Sequence, residues 1–185
     1  MRTALGFRAH SGWAAMVAAA GTLEEPRVLD RRRIAIADPD LHGSKQPYHA
    51  AAELPLAQAE ALVGRAMESS RHLAIDCIAA AIDALQRKGH EVAACGILTG
   101  SGRALPNLEG ILASHALIHT AEGELFRDVI VQAARECGLA VATLREKTVP
   151  VDALQTVASL GKLIGPPWTL DQKYATIAAL SALAV

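Results

Sequence analysis

The pattern of apolar and polar residues divides the first forty positions into three short strands. Apolar stretches cover Arg2–His10, Trp13–Ala20 and Arg27–Ala37, and turn residues such as Gly12 and Gly21 separate them. Short connections of this kind are typical of hairpins, so the pattern predicts three consecutive antiparallel strands.

A long helical pattern comes after the strands. Apolar residues recur at helical spacing from about Pro55 to Lys88-Gly89, where a basic residue and a glycine favour a helix end. One helix of this length would be about 50 Å long at ~1.5 Å per residue, so we predict a kink or break near Ser69-Ser70. The preceding polar stretch, 38–53, is predicted as a loop, and its length favours an ordered or functional role.

The rest of the chain alternates strands with helices. The segment Glu91–Thr99 is apolar on both faces, as expected of a central parallel strand, and Leu139–Arg145 predicts a fifth strand. The pattern therefore predicts one α/β domain over 1–185, with a mixed five-stranded sheet and helices on both faces. Its first three strands are antiparallel and its last two are parallel.

Helical segments separate and follow these strands. We predict helices over 106–138, with a break around Gly110, and over 151–164. A last helix is predicted over 169–184, where Thr169 is the expected N-cap.

Several segments of the second half carry a resemblance to a known family. They form a layout of an alanine-rich helix ending in Gly-Leu, a strand, a lysine-containing turn and a last helix that opens on acids. These segments are Ala121-Glu122-Gly123, 133–141, Arg145-Glu146-Lys147-Thr148-Val149 and Asp171-Gln172-Lys173-Tyr174-Ala175. With the strand order, this layout resembles the ribonuclease H-like superfamily, and within it the bacterial Holliday-junction resolvases.

The resemblance implies a nuclease that uses two divalent metals, held by carboxylates from the first strand, the fourth strand and the last helix. This chain departs from that set. Arg8 stands in the first strand, the fourth strand reads Cys95-Gly96-Ile97, and Tyr174 takes the place of an acid after the retained Asp171. Too few carboxylates remain to hold two Mg²⁺ ions. We therefore expect no nuclease of the usual metal-dependent type, lean against an enzyme, and predict no cofactor.

The charge balance argues against a dedicated nucleic-acid binder. The chain has 18 basic and 19 acidic residues and a net charge of −1, whereas phosphate backbones attract a basic excess. A local basic patch formed by Arg27 and Arg31, Arg32 and Arg33 keeps nucleic-acid binding open as an alternative.

The cysteines and the apolar runs indicate the cellular compartment. Cys77, Cys95 and Cys137 lie in apolar surroundings without zinc spacing, which predicts free thiols in a reducing cytosol. No apolar run reaches the ~18–20 residues of a membrane span, and the N-terminus does not read as a signal peptide. We therefore predict a cytoplasmic protein with no membrane partner.

Polar residues at strand ends are the candidate ligand-binding groups. They are Ser11, Tyr48, Gly100, Ser101, Gly102 and Arg103. Because the carboxyl ends of the first and fourth strands are neighbours in this fold, we expect His10, Ser11, Ser101 and Arg103 to line one pocket. The segment 100–103 resembles a phosphate cradle and indicates generic anion binding, with an ordinary tight turn as the alternative. Trp13 belongs either to the core or to the rim of this pocket.

A second set of polar residues projects from one face of the long helix. His115, His119 and Glu122 have i,i+4 and i,i+3 spacing and form a weak candidate metal site. A hydrogen-bonded polar face, or acid–base work by His119 and Glu122, are the alternatives. The candidate catalytic residues are therefore His10, His49, His119 and Glu122.

Three functional hypotheses follow from these features. The favoured one is a resolvase-like scaffold that binds a small anionic ligand or a protein partner at a histidine-bearing strand edge. The alternatives are an enzyme with histidine and glutamate acid–base groups, and a divergent nucleic-acid-binding or nuclease protein. Alanine-rich helix faces leave a homodimer open.

Overall fold

The computed structural model describes residues 1–100, 102 and 104–185 and contains a mixed five-stranded sheet. The strands lie in the order β3-β2-β1-β4-β5. The neighbours among β1, β2 and β3 are antiparallel, whereas β4 pairs parallel with both β1 and β5. The predicted fold class is confirmed. The strands are β1 (Arg2–His10), β2 (Trp13–Gly21), β3 (Pro26–Ala35), β4 (Glu91–Thr99) and β5 (Ala140–Arg145).

Seven α-helices and one 3-10 turn are assigned within the described residues. They are α1 (Pro47–Ala51), α2 (Leu56–Gln86), α3 (Leu108–Leu112), α4 (His115–Glu136), the 3-10 turn Glu146–Thr148, α5 (Val151–Ser159), α6 (Gly161–Ile164) and α7 (Leu170–Leu183). No helix in this part of the chain has both the length and the apolar character needed to cross a lipid bilayer.

Helix α2 runs unbroken from Leu56 to Gln86, so the predicted break near Ser69 and Ser70 is wrong. The Ser69 hydroxyl donates to Oδ2 of Asp38 at 2.8 Å and does not compete for the helix backbone. Ser70 is fully buried in the packed face of the helix. Serine disturbs a helix when its hydroxyl bonds to backbone groups of the preceding turn, and neither side chain does so here.

Three other boundaries differ from the predicted ones. The expected loop over 38–53 contains α1, which Pro47 opens at a position where proline needs no N–H partner. The break expected around Gly110 lies between α3 and α4, because Asn107 caps α3 by accepting a hydrogen bond from the Gly110 N–H. The helix predicted over 151–164 is divided at Leu160.

The two faces of the sheet bury different helices. Leu5 and Phe7 of β1 share a core with residues of α2 and α4. Gly6, between them, faces α7, where an added Cβ would lie 1.8 Å from the Ala175 carbonyl oxygen. At Gly96 of β4 the corresponding distance to the Ala178 oxygen is 1.9 Å. The backbone of α7 therefore rests directly on β1 and β4, which confirms helices on both faces.

Strand alternation extends this second face to the end of β1. Arg8 and His10 have the same parity as Gly6, so they point to the side of α7. Thr169 and Gln172 form the capping box that begins α7, as the predicted N-cap requires. The start of α7, with Asp171 in its first turn, is therefore held beside the carboxyl end of β1.

The three cysteines are free, as predicted. Burial raises the pKa of Cys95 to about 12 and also raises the pKa values of Cys77 and Cys137. Because the thiolate is the reactive form, none of the three has the properties of a nucleophile.

Candidate functional site

Four ionisable side chains meet where β1 ends beside α7, and we call them the Arg8 cluster: Arg8, His10, Glu146 and Asp171. The Arg8 guanidinium donates to Oδ1 of Asp171 and to Oε1 of Glu146, both at 2.8 Å. Nε2 of His10 lies 3.0 Å from the same Asp171 oxygen. The cluster thus joins β1, the 3-10 turn and α7.

A fixed cation already holds the two carboxylates of the Arg8 cluster. The Arg8 side chain is 19% exposed, against 40% for Glu146 and 25% for Asp171. Arg8 also lies over the ring of Tyr174, 4.8 Å from its centroid. A guanidinium between two carboxylates satisfies their charge and excludes a divalent ion from the same position.

A cleft of about 570 Å³ opens next to this edge, and we call it the Trp13 cleft. Its lining includes Ser11, Trp13, Arg33 and Lys45 and contains no carboxylate. Trp13 is half-buried at the rim, its ring stacked on that of His10 at 4.2 Å, while Arg33 lies 4.1 Å from its centroid. Arg33 and Lys45 are the charged side chains of this lining, and neither forms an ion pair with a described residue.

Two further arginines of the predicted basic patch, Arg31 and Arg32, are used within the fold. Arg31 donates to the carbonyl oxygens of Ile164 and Gly165 at 2.9 Å, and also to that of Pro167. Arg32 donates through Nε to Asp30 at 2.6 Å. Only part of the patch therefore keeps its guanidinium donors for a ligand.

The histidine cluster consists of His49 on α1 and His115 and His119 on α4. One ring nitrogen from each lies within 4.8 Å of the others. Nε2 of His115 and Nε2 of His119 are 3.0 Å apart, and the ring of His49 lies edge-on to both. His115 and His119 are exposed, whereas His49 is half-buried.

A buried carboxylate supports the histidine cluster from below. Glu122 is 2% exposed and accepts a hydrogen bond from the backbone N–H of His49 at 3.2 Å. Its other oxygen lies 3.0 Å from Nδ1 of His49, close enough for a charge interaction but not aligned as a hydrogen bond. Glu122 therefore contacts His49 rather than His115 or His119. The predicted metal set was His115, His119 and Glu122, whereas the structure groups His115 and His119 with His49.

The remaining candidate ligand residues are dispersed. Tyr48 packs against the apolar cluster around Ile111, and its pKa is raised by burial and then by the charges of Asp128 and Glu122. Gly100 lines a separate pocket of about 300 Å³ with Thr99 and Tyr174.

The described residues of the segment after β4 include Gly100 and Gly102. Gly102 has a positive φ of 64°, which favours glycine. Ser101 and Arg103 lie outside the described residues, so the predicted phosphate cradle at 100–103 stays a prediction.

The candidate catalytic histidines fall into two groups. His49 and His119 meet beside Glu122, whereas the recorded contacts of His10 are with Asp171 and Trp13. Among the described residues no hydrogen bond, ion pair or ring contact joins His10 to the others.

Sequence reasoning did not include Glu146, Arg33 and Lys45 among the site residues. Glu146 and Lys45 lie in irregular segments far along the chain from Arg8 and Trp13. Arg33 carried a signal, because it pairs with Ala15 on the strand that Trp13 opens. That pairing register places it near Trp13.

Solved structures of a bacterial resolvase share this fold. The chain matches T. thermophilus RuvC in complex with Holliday junction substrate with a TM-score of 0.53 and 14% identity, over 98% of this chain and 92% of that one. Another Thermus thermophilus RuvC structure gives 0.51 and 14%, over 97% and 92%. No protein-family model and no curated protein matches the chain. At this identity the likeness shows a shared fold alone, the ribonuclease H-like fold that the sequence predicts.

Proposed function

We propose that this protein uses a resolvase-like scaffold to bind a small anionic ligand in the Trp13 cleft, without two-metal cleavage of nucleic acid. The observation that carries this proposal is the charge of the cleft, where Arg33 and Lys45 face a lining that contains no carboxylate.

The position of Arg33 suits an anion. The Trp13 ring at 4.1 Å supports the flat face of the guanidinium, and stacking of this kind restricts the side chain without using its N–H donors. Those donors match the paired oxygens of a carboxylate or phosphate, and Lys45 adds a second point charge. The Ser11 hydroxyl at the same cleft supplies a polar group for orientation.

The Arg8 cluster supports the absence of two-metal chemistry. The neighbouring RuvC structure holds a Holliday junction substrate, and enzymes that cleave phosphodiesters with two metals need carboxylates free to ligate them. Here Arg8 occupies both Asp171 and Glu146. The internal bonds of Arg31 and Arg32 likewise do not favour the nucleic-acid alternative. The homodimer and the cytoplasmic location stay predictions.

Titration of the protein with inorganic phosphate and pyrophosphate at low ionic strength tests the proposed cleft. We expect saturable binding by calorimetry, weakened by about tenfold or more, ~1.4 kcal/mol, in Arg33→Gln or Lys45→Gln. Arg27→Gln is the matched control, because it removes the same charge from the exposed, far end of β3. Equal affinity in all these proteins would refute the cleft as the anion site.

A cleavage assay tests the second half of the proposal. The protein is incubated with a four-way DNA junction and Mg²⁺ or Mn²⁺, and we expect no cleavage above background. Cleavage that disappears in Asp171→Asn would contradict the proposal, because it would require Asp171 to ligate a metal.

A further inference from the structure

We propose that His49, His115 and His119 form a binding site for a transition-metal dication, best matched by Zn²⁺. This site is separate from the Trp13 cleft and from the edge of the sheet where resolvase-type metals are expected. It uses two helices, α1 and α4, that the proposed anion site does not involve.

The spacing of the nitrogens suits a tetrahedral ion. Zn–N bonds of ~2.0–2.1 Å at tetrahedral angles place ligand nitrogens roughly 3.3–3.4 Å apart. Nε2 of His115 and Nε2 of His119 are already 3.0 Å apart, and all three ligand atoms lie within 4.8 Å. A small ring rotation at His49 completes the set, and the ion replaces the hydrogen bond between the other two rings.

The i,i+4 spacing explains why α4 supplies two of the ligands. Residues four apart lie on one helix face, so His115 and His119 present their rings in the same direction. Their rings meet at 86° with centroids 4.5 Å apart, which leaves the two Nε2 atoms facing each other rather than stacked.

Glu122 places a buried carboxylate behind the His49 ring. Its Oε2 lies 3.0 Å from Nδ1 of His49, so we assign the other ring nitrogen, Nε2, to the metal. A buried carboxylate behind a ligating imidazole is the usual second-layer partner in zinc sites, where it fixes the ring and raises its basicity. The hydrogen bond that the His49 backbone N–H donates to Glu122 also joins α1 to α4.

The chemistry of the donors selects the ion. Neutral imidazoles suit Zn²⁺, Cu²⁺ and Ni²⁺, whereas Mg²⁺ and Ca²⁺ prefer oxygen. His115 and His119 are exposed, so an ion can enter from solvent. Three protein ligands leave one tetrahedral position for water, the arrangement typical of open rather than closed zinc sites.

Calorimetry with ZnCl₂ tests the site on the full chain with any affinity tag removed, because a histidine tag would itself bind zinc. We expect one Zn²⁺ per chain. Substituting Co²⁺ should give the visible absorption bands of a tetrahedral nitrogen site. Both signals should be lost in His119→Ala and His115→Ala, whose side chains lie on the surface, so the variants should still fold.

Three comparisons make the result specific. His72→Ala removes an exposed histidine on α2 whose i,i+4 partner is Glu68 rather than a histidine, and should leave zinc binding unchanged. Glu122→Gln keeps an acceptor for the His49 N–H but removes the charge, and should weaken zinc binding by ~10–100-fold. Arg33→Gln should not alter it, so failure of the anion proposal is distinguishable from failure of this one.

The zinc-binding measurements either support the site or overturn it. Stoichiometric binding that is lost in His115→Ala and His119→Ala, and kept in His72→Ala, supports the site. Absence of stoichiometric binding overturns it, and so does binding of equal affinity in the His119→Ala variant.

Discussion

The Arg8 cluster and the histidine cluster are both groups of ionisable side chains, but their charges are balanced differently. In the Arg8 cluster two carboxylates share the Arg8 guanidinium, each at 2.8 Å, so both carboxylates already have a cationic partner within the protein. In the histidine cluster two exposed rings face each other across 3.0 Å, and the carboxylate of Glu122 contacts the third ring. The two clusters therefore differ in what they offer a ligand: the charges of the Arg8 cluster are matched within the protein, whereas the histidine cluster keeps ring nitrogens that can bind a metal as proposed.

The Arg8 cluster forms only if α7 packs directly against β1, and Gly6→Ala tests that packing. We expect this substitution to have the largest effect. The new Cβ would lie 1.8 Å from the Ala175 carbonyl, a backbone atom that cannot turn aside. We expect the free energy of unfolding to fall by about 3 kcal/mol, the upper part of the usual range for overpacking. Chemical denaturation followed by circular dichroism measures the loss.

Gly64→Ala is the matched control for this substitution. Gly64 lies on the exposed face of α2, and an added Cβ would contact nothing within 4 Å. Because alanine is the better helix former, we expect stabilisation by about 1 kcal/mol. A Gly6→Ala protein as stable as the native protein would show that α7 is not held against β1 as described.

Loss of the ion pairs in the Arg8 cluster should have the next largest effect on the free energy of unfolding. Arg8→Met keeps the apolar stem of the side chain but leaves Asp171 and Glu146 without their cation. Because both carboxylates are partly exposed, we expect a moderate cost of about 1–2 kcal/mol. A double-mutant cycle with Asp171→Asn should give a coupling of at least ~0.5 kcal/mol. Strictly additive effects would show that the Arg8–Asp171 contact does not stabilise the protein.

The smallest expected effect on stability concerns the hydrogen bond between Ser69 and Asp38, in the segment that precedes α1. The hydrogen bond from Ser69, followed by that from the Asp40 backbone, lowers the pKa of Asp38 below its ordinary value. A lowered pKa adds stability above the unfolded pKa of ~3.9, and this stability is lost as the pH falls through the folded pKa. Ser69→Ala should therefore be less stable than the native protein at pH 7, by an amount that shrinks below about pH 4.

Ser159→Ala controls for the loss of a serine hydroxyl, because Ser159 donates to the Thr156 carbonyl and to no carboxylate. Its effect should be independent of pH in denaturant titrations at pH 7 and pH 3. A difference between Ser69→Ala and the native protein that stays constant with pH would exclude Asp38 as its source.

The strands and the last helix were readable from the sequence because local signals define them. The predicted bounds of β1 and β4 match the structure, and Thr169 caps α7 as its side chain suggests. The short helix α1 was missed, because five residues are too few to show a helical period. The continuity of α2 was missed because the partner of the Ser69 hydroxyl, Asp38, lies 31 residues away and gives no local signal.

The sequence by itself determined that this protein has the order of strands and helices of the ribonuclease H-like fold. It also determined that the first strand carries Arg8 and no acid. These features follow from residue type and local period, which act over a few positions. Only the tertiary structure decided that Arg8 pairs with Asp171 and Glu146, and that His49 joins His115 and His119. Those contacts join residues more than 60 positions apart, and only the packing of α7 and α1 onto the rest of the fold brings them together.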